Sequence, residues 1–283
     1  MELREITIEQ IEKYKEVLDP DEAENIGRDY YCALALHAQP DVPAQATLIW
    51  QLKNVHKEQP TIAEVTWFYA ADPASGKELL AEFEKRAGES GACGISFEFK
   101  GDKSDATSAI FAEAGYLLKD TQSSELVITV KELSHLAIKS KDEFPAQVTS
   151  ISRLSMRQFK QGIRNCLYNE RNGTLEDLDF LPLDWFEPEL SCCVQMNFKV
   201  NGYLLVHKQT SGRLAVKLLF ACKPASSQDL LHMIRFASTS ALEHYPPQTP
   251  VVIRHCDEAT RALVTKLFPK AQRAASVTAQ KKL

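Results

Sequence analysis

The chain has 283 residues, of which 44% are hydrophobic and 25% charged, a composition typical of a folded globular protein and not of a disordered or fibrous one. Its 33 basic and 38 acidic residues give a net charge of −5, so we expect neither nucleic acid nor an anionic membrane as a partner. The sequence contains no apolar run of roughly 18 residues and no signal-like N-terminal region, so we expect a cytoplasmic protein.

A nine-residue phrase occurs twice in the chain. Residues 72–80 read DPASGKELL and residues 223–231 read KPASSQDLL, at an offset of 151 residues. The length of 283 residues also exceeds the roughly 150 residues typical of one domain. We therefore predict two tandem domains, residues 1–138 and residues 146–283. We expect a monomer, because the internal repeat can replace the homodimer that a single-copy protein would form.

The first copy begins with a capped helix and continues with strands. Thr7 and Gln10 have the spacing of a capping box, which predicts the start of a helix. Three runs then predict an antiparallel meander: YYCALALHA, ATLIWQLKNV and AEVTWFYA. Pro73 ends the third strand, and Ser75 followed by Glu78 predicts the N-cap of a new helix. A strand, a short helix and a last strand follow, with the sequences GISFEF, SAIFAEAGY and SELVITVK.

The second copy repeats this order. A capping box at residues 155–158 precedes the alternating run SCCVQMNFKV, and Asn201-Gly202 then predicts a tight turn into YLLVHKQ and LAVKLLFAC. Ser226 followed by Asp229 predicts the N-cap of the next helix. VVIRH then predicts a strand and ATRALVTKLF a helix. The last ten residues, AASVTAQKKL, are small and polar, and we expect them to fray.

This order of elements resembles the GNAT superfamily of acyl-CoA-dependent N-acetyltransferases. The most specific segments are EVTWFYAADP, which runs into KELLAEFEKRA, and FAEAGY, which is similar to the family's FYEKxGF ending. The resemblance covers nearly the whole chain as two copies. It implies an α/β (α+β) fold with two tandem GNAT-like domains, each a mixed, mostly antiparallel sheet flanked by helices.

The resemblance implies acetyl-CoA as cofactor, held where the strand of the first copy meets its helix. Members of the family carry a Q/R-x-x-G-x-G/A loop there, and the helix dipole assists it. The positions implied here are Phe68, Ala70, Ser75, Gly76 and Lys77. The loop itself is several residues shorter than the family's and contains one glycine, so the segment is either a cofactor cradle or a structural helix cap.

The family's usual proton donor, a tyrosine on the short helix that protonates the departing thiolate, is replaced in both copies. The corresponding residues are Phe111 and Leu263. The resemblance leaves Tyr116, about one and a half turns further on, as the tyrosine that could act in the first copy.

Carboxylates on the central strands are the family's usual base, and the first copy offers Glu64 and Glu98. The second copy has Ala215 and a site near Arg254 instead. The N-terminal copy is therefore the more plausible catalyst on these residues.

Two further features of the second copy have two interpretations each. Trp185 and Phe186 precede the second meander and either line a cleft or pack in the core. Lys217 stands where the first copy has Thr66, and it is either a charge in a cleft or a lysine whose stem packs along the surface.

These features favour an acetyl-CoA-dependent N-acyltransferase that acts on a small amine or a peptide amine. A non-catalytic protein with a degenerate duplicated GNAT fold, which binds a ligand or a partner, is the alternative. A regulator that senses an acyl-CoA without turnover is a third hypothesis.

Overall fold

The computed structural model describes residues 1–28, 30–39, 42–53, 60–137, 145–168, 178, 180–222, 224–254 and 258–283. The chain forms two compact units. The N-terminal unit comprises Met1–Ser123 and Arg273–Leu283, and the C-terminal unit comprises Ser124–Gln272. This division differs from the predicted domains, residues 1–138 and 146–283, because the last strand of each predicted domain belongs to the other unit.

The N-terminal unit contains a seven-stranded sheet in the order β1-β2-β3-β4-β5-β13-β6. Every neighbouring pair is antiparallel except β4 and β5, which are parallel. The strands are β1 (Glu2–Glu5), β2 (Tyr31–His37), β3 (Ala44–Lys53), β4 (Ile62–Ala70), β5 (Gly94–Lys100), β6 (Leu117–Gln122) and β13 (Ala275–Lys282). The helices are a 3₁₀ helix (Ile8–Tyr14), α1 (Pro20–Ala23), α2 (Pro73–Glu89) and α3 (Ala106–Glu113).

The C-terminal unit contains a six-stranded sheet in the order β7-β12-β11-β10-β9-β8, in which only β11 and β12 are parallel. The strands are β7 (Glu125–Thr129), β8 (Val148–Ser150), β9 (Cys192–Met196), β10 (Lys199–Lys208), β11 (Leu214–Ala221) and β12 (Pro250–Arg254). Its described residues include the 3₁₀ helices Val130–His135, Ile151–Arg153 and Leu183–Trp185 and the α-helices α4 (Met156–Tyr168), α5 (Ser227–His244) and α6 (Glu258–Leu267). Both sheets are mixed, mostly antiparallel and flanked by helices, as the sequence predicted.

The C-terminal residues form a strand, and the expectation that they fray is wrong. β13 lies between β5 and β6 and pairs with both. Val277 and Ala279 alternate with polar residues, and both are fully buried in the N-terminal unit. The run SELVITVK, predicted as the last strand of the first domain, instead forms β7 and pairs with β12 of the C-terminal unit. The two copies therefore exchange their last strands.

The predicted turn at Asn201-Gly202 is also wrong, because both residues lie within β10. The chain turns at Asn197 and Phe198, whose φ angles are +50° and +63°. Gly202 has a different role: a Cβ atom at this position would lie 2.8 Å from the carbonyl oxygen of Phe220. The glycine is needed for close approach of β11, not for a turn.

Each unit has a bulge in the strand that precedes its long helix. The register shift skips Thr66 in the pairing of β4 with β3, and it skips Lys217 in the pairing of β11 with β10. Among the described residues, the last parallel pairs with the next strand are Val65 with Phe97 and Val216 with Ile253. Each unit thus has a gap between these two strands beyond the last pair. We call the gap between β4 and β5 the N-terminal opening and the gap between β11 and β12 the C-terminal opening.

No helix in the described part of the chain has the length and apolarity that a membrane crossing requires. Within the same residues, no three His, Cys, Asp or Glu side chains are grouped to hold a metal ion.

Candidate functional site

Aromatic rings fill the N-terminal opening. The ring centroid of Phe68 lies 6.4 Å from that of Phe97 and 5.1 Å from that of Phe111, and the Phe97 and Phe111 centroids are 5.2 Å apart. Phe111 is fully buried and also contacts the ring of Tyr116 at 4.9 Å. Phe68, one of the implied cofactor positions, is therefore a core residue of this unit.

The start of α2 is capped by Asp72, and the prediction of Ser75 as N-cap is wrong. The Asp72 carboxylate accepts the backbone N–H groups of Ala74 and Ser75, each at 2.9 Å, and the Ser75 hydroxyl at 2.7 Å. The Ser75 hydroxyl, and then the two amides, hold the pKa of the Asp72 carboxyl below its usual value. The group is therefore negatively charged at neutral pH.

This cap leaves no amide at the start of α2 for a diphosphate. Pro73 has no N–H group, Asp72 accepts those of Ala74 and Ser75, and the Gly76 N–H donates to the Asp72 carbonyl at 3.1 Å. A negative carboxylate occupies the place where the family binds the CoA diphosphate. The residues of the N-terminal unit thus do not fit that part of acetyl-CoA.

The other implied cofactor positions have structural surroundings. A Cβ atom on Gly76 would lie 3.1 Å from the Ala70 Cβ and from two side-chain carbons of Ile110, so this glycine permits α2 to pack against α3. Lys77 forms an ion pair with Glu113. Among these residues the glycine serves packing, and the lysine charge is already paired.

Glu64 and Glu98 lie on one face of the N-terminal sheet, and Tyr116 lies on the other. Glu64 accepts a hydrogen bond from Gln51 at 2.6 Å and forms an ion pair with Lys53. Its neighbours in sequence point to the core, and so do those of Glu98, which places both carboxylates on the face away from α2 and α3. The structure therefore brings the two glutamates to one face and separates both from the tyrosine.

Tyr116 belongs to the buried core between the sheet and its helices. Burial raises the pKa of its hydroxyl well above the usual value, and the negative charge of Glu84 adds to the shift. The Lys281 ammonium lies over the ring, 5.2 Å from its centroid, and donates to both Glu84 oxygens at 2.7 Å. The Lys281–Glu84 ion pair thus links β13 to α2 beside the ring of Tyr116.

The C-terminal opening lies beside a cavity of about 70 Å³. The cavity is bounded by β10, β11 and β12, by α5 and α6, and by the 3₁₀ helix Val130–His135. Val216 and Leu219 line it on either side of the bulge in β11, and Val251 and Ile253 line it on β12. It therefore extends from beneath the paired part of β11 and β12 to the bulge in β11.

Smaller side chains explain why the C-terminal unit has space here. The repeat offset places Leu219 at the position of Phe68, and the strand pairing places Ile253 at that of Phe97. Leu263, the counterpart of Phe111 in the sequence, also lines the cavity. Three aromatic rings in one unit thus correspond to three aliphatic side chains in the other, and sequence reasoning had noted only the last.

His207 lies on the opposite face of the same sheet, on β10, the strand on the other side of β11 from the C-terminal opening. It pairs with Ala215, two residues before the bulge at Lys217. Its ring stacks on Trp185 with centroids 3.6 Å apart, and its Nδ1 lies 2.7 Å from the Trp185 carbonyl oxygen. The Lys217 ammonium lies 5.4 Å from the Trp185 ring centroid. Trp185 and Lys217 are thus neighbours, and His207 is the residue that sequence reasoning missed.

The repeat offset of 151 residues does not reveal His207, because the equivalent positions are found only from the strand pairing. In the pairing of the two meanders, His207 opposite Ala215 corresponds to Gln51 opposite Glu64. The C-terminal unit thus has its titratable group on the neighbouring strand.

The start of α5 differs from that of α2. Ser226 is the N-cap, as predicted, and its hydroxyl oxygen accepts the Asp229 N–H at 3.3 Å. Burial alone would raise the pKa of Asp229, but hydrogen bonds from Ser226 and Gln147 lower it below the usual value. The cap involves neither the N–H of Ser227 nor that of Gln228, the first two of the helix. Two backbone donors therefore remain outside this cap.

Comparison with solved structures identifies the fold. A tandem GNAT protein from the clavulanic acid biosynthesis pathway superposes with a TM-score of 0.64 at 10% identity, over 99% of this chain and 98% of that one. A GCN5-related N-acetyltransferase from Sphaerobacter thermophilus gives 0.57 at 14% identity, over 99% and 95%. One from Kribbella flavida gives 0.51 at 14% identity, over 86% and 89%. No protein-family model and no curated sequence matches the chain. The chain therefore has the tandem GNAT fold of the N-acetyltransferases, as the sequence resemblance predicted.

Proposed function

We propose that the protein is an N-acyltransferase whose reaction takes place at the C-terminal opening. One observation carries the proposal: the sheet has an apolar cavity beside this opening on one face and, on the other face, the imidazole of His207 on the adjacent strand β10. An acyl group and an amine can then approach each other from opposite faces. The sequence favoured the N-terminal copy, but rings fill its opening and Asp72 occupies its helix start.

His207 is the proposed general base. Its Nδ1–H donates to the Trp185 carbonyl, which fixes the orientation of the ring. The thioester supplies an activated acyl carbonyl. As the amine nitrogen bonds to the carbonyl carbon, His207 takes the amine proton and the C–S bond breaks. The thiolate leaves with the bonding electrons and receives the proton from His207 or solvent, since Leu263 replaces the family's tyrosine.

The acyl donor is proposed to be an acyl-CoA, as the fold suggests. The backbone N–H groups of Ser227 and Gln228 would bind its diphosphate, because they lie at the positive end of an 18-residue helix. The acceptor is proposed to be a small amine or a peptide amine, and the protein to act as a monomer.

The test is an assay of thiol release from acetyl-CoA and longer acyl-CoA esters with a panel of amines, together with calorimetric binding. His207→Gln is expected to lower kcat by roughly 10²- to 10⁴-fold and to leave acyl-CoA affinity unchanged. His244→Gln, at an exposed histidine of α5, is the matched control. Full activity of His207→Gln would refute its role.

A non-catalytic binding protein is the second candidate. The observation in its favour is that each long helix carries a carboxylate in its first turn or cap, Asp72 in one unit and Asp229 in the other. Repulsion between these groups and a diphosphate would weaken CoA binding in both units. Binding of an acyl compound without turnover of any amine would favour this candidate.

A further inference from the structure

The cavity beside the C-terminal opening has an apolar lining, which excludes the polar parts of an acyl-CoA thioester. Apart from Ser238, every lining residue is hydrophobic, with leucine, isoleucine and valine predominating. Amides, phosphates and ammonium groups lose their hydrogen bonds to water when they enter such a space, which costs several kcal/mol per group. Neither the pantetheine amides, the nucleotide nor the amine can therefore occupy it. An aliphatic chain can, because it has no polar group to satisfy.

The size of the cavity limits the length of that chain. Its volume is about 70 Å³. An apolar cavity of about 150 Å³ holds benzene, which has six carbons, and a water needs roughly 10–15 Å³, so the space holds roughly three to five aliphatic carbons. An acetyl group would leave most of the cavity empty, whereas a chain of ten or more carbons would exceed it.

We infer that this cavity binds the aliphatic chain of the acyl donor, and that the donor carries an acyl group of about four to six carbons. The inference rests on the proposed function, because it names the substrate class of the same site. The N-terminal unit supports the geometry: where its aromatic rings occupy the corresponding space, the C-terminal unit has Leu219, Ile253 and Leu263.

The test is calorimetric titration of the full-length protein with CoA esters of two, four, six, ten and sixteen carbons. Each buried methylene contributes roughly a fourfold gain in affinity, so the six-carbon ester is expected to bind at least about tenfold more tightly than the acetyl ester. Affinity should then stop rising, or fall, between six and ten carbons. A series without this maximum would overturn the inference.

Filling the cavity tests its place in the molecule. Leu219→Phe introduces the ring found at the same position of the N-terminal unit and is expected to weaken binding of the six-carbon ester more than binding of the acetyl ester, which abolishes the preference for six carbons. Leu263→Phe is a second variant on a different element, for the case that the first fails to fold. Leu242→Phe is the matched control, because Leu242 lies on α5 with 36% of its surface exposed. An unchanged preference in both folded cavity variants would refute the assignment.

The two proposals fail in different ways. If no ester of any length binds or reacts, the proposed acyltransferase function is wrong. If acetyl-CoA and hexanoyl-CoA bind equally well and turnover is observed, the function stands and the chain-binding role of the cavity is wrong.

Discussion

Removal of β13 is expected to unfold the N-terminal unit, although the removed residues lie at the other end of the chain. β13 fills the gap between β5 and β6, and Val277 and Ala279 are both 0% exposed. Full burial of a valine stabilises a protein by roughly 1.5–3 kcal/mol, and a methyl-sized group adds about 0.8 kcal/mol. A chain that ends at Gln272 loses both, together with the main-chain hydrogen bonds on both sides of the strand.

The truncation also breaks a partly buried ion pair. Lys281 donates to both carboxylate oxygens of Glu84 at 2.7 Å and to the Ala114 carbonyl at 2.8 Å. Hydrogen bonds to charged groups contribute roughly 1.5–3 kcal/mol, and Glu84 would be left without its cation. These losses together approach the roughly 5–15 kcal/mol of total stability typical of a domain.

Hydrogen exchange with mass spectrometry is the assay. In a chain truncated after Gln272, amides of β5 and β6 should lose protection, whereas those of β10 and β11 should keep it. A chain that lacks only Leu283, which is 45% exposed, is the control and should behave as the full-length protein. Continued protection of β5 and β6 in the truncated chain would refute the reasoning.

The register of β13 also permits a rescue. Gln122 at the end of β6 pairs with Ala275 at the start of β13, so the two strands can be joined by a two-residue Asn-Gly turn. A chain of residues 1–122, Asn-Gly and residues 275–283 is expected to fold alone, whereas residues 1–138 are not. Cooperative thermal unfolding of both chains would show that the exchanged strand is dispensable.

Two further predictions concern thiols and glycine. Burial raises the pKa of Cys193 to about 11, so less than about one part in 10² of this thiol ionises at pH 8. A thiol reagent should therefore modify exposed Cys93 in the native protein and Cys193 only after denaturation. Early modification of Cys193, read by peptide mass, would contradict the buried placement. Gly202→Ala places a methyl group 2.8 Å from a carbonyl oxygen of β11 and should lower the free energy of unfolding in urea by about 1–3 kcal/mol. Gly212→Asn, in a turn with no atom near the added Cβ, should lower it far less. Equal effects of the two variants would argue against the close approach.

The sequence alone predicted the features that depend on neighbouring residues. Thr7 with Gln10 and Ser226 with Asp229 form the expected capping boxes, because a cap is made within four residues of chain. Alternation indicated strands in both meanders, although in SCCVQMNFKV it continued across the turn at Asn197 and Phe198, and the repeat at an offset of 151 residues indicated the duplicated fold. The sequence around Gly76 and the residue Phe111 also showed that the family's loop and tyrosine are missing.

Only the tertiary structure decided what depends on partners distant in the chain. AASVTAQKKL has little hydrophobicity of its own and becomes a strand because β5 and β6 bind it from both sides. Asp72 caps α2 in place of Ser75 because the helix begins at Pro73, one turn earlier than the repeat suggested. The cavity and His207 depend on which side chains meet across the sheet and on the bulge at Lys217. Local sequence patterns determine where helices and strands form. The packing of the whole unit determines which strands pair and which side chains are buried, so these features cannot be predicted from neighbouring residues alone.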